Sequence, residues 1–101
     1  MFMFEKVMGT ATDIKDMKVR GAGKIARAGA SAMGEFAESY EGRSLEEFIK
    51  DLETARGIVL DSRPTAVSLW NGVQACLKDV RDVSSLEEAK GLVAHNAKLF
   101  V

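Results

Sequence analysis

A hydrophobic rhythm of three and four residues runs through almost the whole chain and is broken by a single proline, Pro64. Apolar residues at i, i+3 and i+4 gather on one side of an α-helix, whereas a half-buried strand needs alternation every second residue. Sustained alternation of β-branched residues is nowhere present. A chain of 101 residues holds one core and buries about 60 to 70 % of its unfolded surface. The expected fold is therefore all-α, a five-helix, bundle-like domain spanning residues 1–101, without a linker, repeat or low-complexity tract.

The first helix is predicted over residues 4–17, with Val7, Met8, Ala11 and Ile14 on one side. The second spans 22–40, with Ile25, Ala32, Met33, Phe36 and Tyr40 inward and Gly42 as its stop residue. Ser44 and Glu47 form a capping box for the third, whose stripe is Leu45, Phe48, Ile49, Leu52, Ala55 and Val59 up to Asp61. Pro64 suits the first position of the fourth, which carries Val67, Trp70, Val73, Leu77 and Val80 and is expected to be central. Two overlapping boxes, Ser84 with Glu87 and Ser85 with Glu88, open the fifth. It keeps its periodicity through Leu86, Ala89, Val93 and Phe100 with no stop signal, so the chain is expected to be part of a longer protein.

Fourteen basic against 15 acidic residues give a formal charge of −1, which supplies no overall field for nucleic acid or an anionic membrane. Neither partner is expected, and any anion must be held locally. The apolar start "MFMF" is too short for a secretory leader or a span. One cysteine, Cys76, allows no internal disulfide and no thiolate zinc cluster. A reducing cytoplasm is the expected location.

Two helix starts are unusual in being basic. In "KVRGAGKIAR", Arg20 precedes Gly21, Ala22 and Gly23, and Lys24 and Arg27 follow. Gly21, Gly23 and Ala26 have the spacing of a dinucleotide fingerprint, but that motif needs a preceding strand, and "DIKDMK" is charged and helical. What remains is the physics of a helix N-terminus: small residues let an anion reach free N–H groups, and the dipole favours negative charge by about 0.3 to 1 kcal/mol. At "SRPTAV", Arg63 stands before a second start beside Thr65. Two arginines so placed suit one phosphate, since a guanidinium binds its oxygens in pairs. The spacing equally allows Arg20 and Arg63 to pair with Asp13, Asp16 or Asp61.

The strings "MKVRGAGKIARAGASAM" and "SRPTAVSLWNGV" together resemble the amino-terminal domain of a family of sugar-phosphate isomerases and regulators. Its members include archaeal ribose-1,5-bisphosphate isomerase, methylthioribose-1-phosphate isomerase and the alpha, beta and delta subunits of translation initiation factor 2B. The archaeal isomerase branch fits best, and the resemblance covers nearly the whole chain. It implies a helical domain packed on a separate α/β domain, with a sugar phosphate held between them. It also implies phosphate contacts from Arg20, Gly21, Ala22, Gly23 and Arg63, and no redox cofactor or metal. The family's catalytic cysteine and aspartate belong to the α/β domain, which is not represented here, and Cys76 does not match that nucleophile. The resemblance therefore assigns no catalytic residue to this chain and implies that it is inactive alone.

Cys76, Trp70 and the phenylalanines read as core, "SLEEFIKDLE" as a solvated face, and His95 carries no role. Phe2, Met3 and Phe4 are candidates to cover a groove or a second copy in a homo-oligomer. The alternative function is a non-catalytic interaction module akin to the exchange-factor subunits.

Overall fold

The computed structural model describes residues 3–101. Five helices follow one another: α1 Glu5–Lys15, α2 Ala22–Glu38, α3 Leu45–Ser62, α4 Val67–Cys76 and α5 Leu86–Phe100. A short 3-10 turn, Val80–Asp82, links the last two, and no strand occurs among the described residues.

Capping explains two of the starts. Ser44 Oγ accepts the Glu47 N–H at 3.0 Å and Ser85 Oγ accepts the Glu88 N–H at 3.1 Å. Two glutamates in the first turn of each helix add favourable charge at its positive end. Of the two boxes read at the fifth helix, the one built on Ser85 caps it. The end of α1 is a paired stop, in which Met17 N–H donates to Ile14 O at 3.2 Å and Lys18 N–H to Asp13 O at 2.9 Å. Met17 stands at φ 66, a left-handed position where glycine is usual.

The centre of the bundle is α2, which packs on all four other helices; α4 does not take that place. Small buried residues on α2, among them Ala26, Gly29, Ala30, Gly34 and Ala37, let neighbours approach its backbone. Backbone meets backbone at Gly72 of α4, where an added Cβ would lie 2.6 Å from the Ala26 carbonyl oxygen. One end of the core is aromatic: Phe36 stacks on Phe4 at 5.5 Å, and Tyr40 meets Phe48 edge-on at 4.9 Å. Met3 and Phe4 pack on this cluster, so they cover their own core; Phe2 lies outside the described residues.

Three further expectations need correction. Pro64 is not the first residue of α4: Arg63 before it stands outside the helical region, at φ −146 and ψ 76, as a residue before proline tends to. Its carbonyl accepts the Ala66 N–H at 3.0 Å, a turn that delays α4 to Val67. The inner face of α4 is Leu69, Gly72, Val73 and Cys76, which leaves Trp70 48 % exposed and Val67 70 % exposed, while Val80 falls in the 3-10 turn. Gly42 does not end α2 in a left-handed turn, because α2 stops at Glu38, with Ser39 Oγ donating to Glu35 O at 2.8 Å.

Candidate functional site

Ala26 and Gly72 lie about one turn inside the starts of α2 and α4, so their contact sets the two N-termini side by side. An open cleft of about 380 Å³ lies between them. Arg20, Gly21 and Ala22 line it from α2, Arg63, Ala66, Val67 and Ser68 from the α3–α4 side, and Met17 and Ile25 complete the walls. Two sequence-distant arginine motifs thus share one solvent-accessible site.

Gly21 supplies the backbone geometry. It is the residue before α2, at φ 92 and ψ 134, a conformation that L side chains rarely adopt. Among the described residues nothing lies within 4 Å of the position a Cβ would take, so the need for glycine is conformational. No side chain among the described residues caps α2 or α4, and neither has an acidic residue in its first turn, in contrast to α3 and α5. The two uncapped starts leave N–H groups and the positive ends of two helix dipoles at the same cleft.

The arginines are available as well. Among the described residues neither Arg20 nor Arg63 forms an ion pair, and Asp13 faces Lys18 at 4.0 Å instead. The surface-pairing alternative is therefore not the arrangement adopted. Arg63 Nη1 rests 3.7 Å from the Met17 sulfur, a weak acceptor that leaves most of its donor capacity unused. Gly23, grouped with this site by sequence, is not on the cleft wall; a Cβ there would meet Arg27 Nη1 at 3.1 Å. Sequence reasoning missed Met17 and Ser68. Both lie inside the quoted strings, but neither residue type suggests anion binding by itself.

Among the described residues no carboxylate, imidazole or thiol lines the cleft, and the Ser68 hydroxyl has no such group on the wall to activate it, so these residues can bind and orient an anion but offer no general acid or base and no activated nucleophile. Cys76 is elsewhere, fully buried, with its Sγ 3.4 Å from Gly72 O. Burial pushes its thiol up to about 11, which keeps it protonated and inert at neutral pH. His95 is exposed on α5. Among the described residues no three potential metal ligands come together, and no helix is long and apolar enough to cross a membrane.

Comparison with known proteins identifies the fold and the family. The ribose 1,5-bisphosphate isomerase of Thermococcus kodakarensis is 35 % identical over 105 residues, covering 100 % of this chain and 33 % of that protein. A crystal structure of 5-methylthioribose 1-phosphate isomerase from Pyrococcus horikoshii OT3 superposes with a TM-score of 0.87 at 33 % identity, over 93 % of this chain and 27 % of that one. The translation initiation factor eIF-2B subunit delta from A. fulgidus gives a TM-score of 0.84 at 32 % identity, over 93 % and 28 %. This chain spans a third or less of the length of these relatives. Helices α2 to α5 and both arginine motifs lie within residues 18–101, the region that matches the family model, and the chain belongs to the Initiation factor 2 subunit family.

Proposed function

We propose that this chain is the phosphate-recognising helical domain of a sugar-phosphate aldose–ketose isomerase of the ribose 1,5-bisphosphate type. Arg20 and Arg63 provide guanidinium donors, and the backbone around Gly21 and Ala22 provides N–H groups. The observation that carries the reading is the meeting of both uncapped, non-acidic helix starts and both unpaired arginines at one open cleft. Its chemistry is binding and orientation, and the proton transfers of isomerisation fall to a partner α/β domain.

Calorimetric titration with ribose 1,5-bisphosphate tests the reading. Replacing Arg20 by alanine should weaken binding by about 1.5 to 3 kcal/mol and leave thermal stability nearly unchanged, because the side chain is exposed. Equal affinities for the two proteins would refute it.

A second reading, a non-catalytic interaction module in a homo-oligomer or regulatory assembly, draws on the exposed apolar Val67 and Trp70 of α4. A stable oligomer by light scattering, indifferent to sugar phosphate, would favour that reading over the first.

A further inference from the structure

The cover over Arg63 is unusual in two independent ways. Met17 holds a left-handed backbone conformation, φ 66, that is unfavourable for a residue with a Cβ relative to glycine. Its side chain is 51 % exposed, yet it directs its sulfur at Arg63 Nη1, 3.7 Å away across the cleft wall. A thioether in that place is a poor partner that a phosphate can displace. An oxygen on the same sulfur is a much better partner, since it can accept a charge-assisted N–H···O bond of about 2.8 Å that an anion must then break to reach the guanidinium.

We propose that Met17 is an oxidation site that controls access to Arg63, its sulfoxide occupying the guanidinium and closing the cleft to anions. This rests on the reading of the cleft as a phosphate site. The oxidant is a peroxide: its O–O bond breaks, one oxygen joins the Met17 sulfur, and the remainder leaves as water or an alcohol. Sulfur is oxidised by two electrons, the peroxide is reduced by two, and the methionine side chain loses no proton. Methionine sulfoxide reductases reverse the step. Exposure makes Met17 accessible to both reagents, whereas Met33 is buried in the core.

The test uses chain labelled with 13C at the methionine methyl groups and inorganic phosphate as the probe. In the reduced protein, phosphate should shift the Met17 methyl signal as the sulfur leaves Arg63. After hydrogen peroxide treatment the phosphate Kd should rise at least tenfold. In Met17→Leu the same treatment should change the Kd by less than twofold, although Met8, 56 % exposed, is still oxidised. Unaltered binding by the oxidised wild type, or an equal loss in Met17→Leu, would overturn the proposal while leaving the phosphate site intact. A reduced protein that binds no phosphate would instead overturn the phosphate site, and this inference with it.

Discussion

Gly72 lies so close to the carbonyl of Ala26 that a Cβ at Gly72 would stand 2.6 Å from that oxygen. Here α2 and α4 touch backbone to backbone, and the contact holds their two N-termini around the cleft. Gly72→Ala should push the helices apart at a cost of about 1 to 3 kcal/mol, the usual range for overpacking a close-packed contact. Urea unfolding would show a lower midpoint with an unchanged slope; an unchanged midpoint would mean that the crossing has slack.

Gly21→Ala acts differently, since nothing crowds that position and only φ 92 resists a side chain. The variant should lose about 1 to 2 kcal/mol, visible as a lower Tm. Its helix content should remain that of the parent, because α2 begins beyond this residue. Stability equal to that of the parent would show that the loop relaxes to an ordinary conformation.

Stability should also fall in alkali. Burial raises the Cys76 thiol from about 9 to about 11, so between those pH values the unfolded chain has lost the proton that the folded chain keeps. The unfolded state then binds fewer protons, and stability falls by up to about 1.4 kcal/mol per pH unit. Tyr40 acts in the same direction, its phenol raised by burial and then by its 2.7 Å hydrogen bond to Asp51. More than about one pH unit below 9, neither group contributes to the slope. Melting curves of Cys76→Ala should therefore fall less steeply than wild type between pH 9 and 11; parallel curves would contradict this.

The helices with strong local signals were legible. Ser44 with Glu47 and Ser85 with Glu88 marked their starts because a side chain there satisfies a backbone N–H directly. The face of α4 was not legible in the same way. Val73 and Cys76 were expected inside and are buried, but Trp70 and Val67 were expected there too and are exposed, while Leu69 and Gly72 take the inner face. A tight crossing selects small residues, and bulk was the wrong guide. For the same reason the glycine- and alanine-rich α2 holds the centre. Pro64 misled because a helix start and a tight turn use the same proline φ, and only the Arg63–Ala66 hydrogen bond separates the two. Within the site, Arg20, Gly21, Ala22 and Arg63 came from sequence motifs, while Met17 needed coordinates, since nothing in a sequence marks a methionine in a left-handed stop position.

The central claim is that Arg20 and Arg63 act on one anion, and side-chain 15N NMR of the arginines during a titration with inorganic phosphate tests it most directly. The account predicts that the Nε signals of both residues move together along one binding curve, and that Arg63→Ala abolishes the movement at Arg20 over the same phosphate range. Separate curves, or an Arg20 response indifferent to the loss of Arg63, would contradict it.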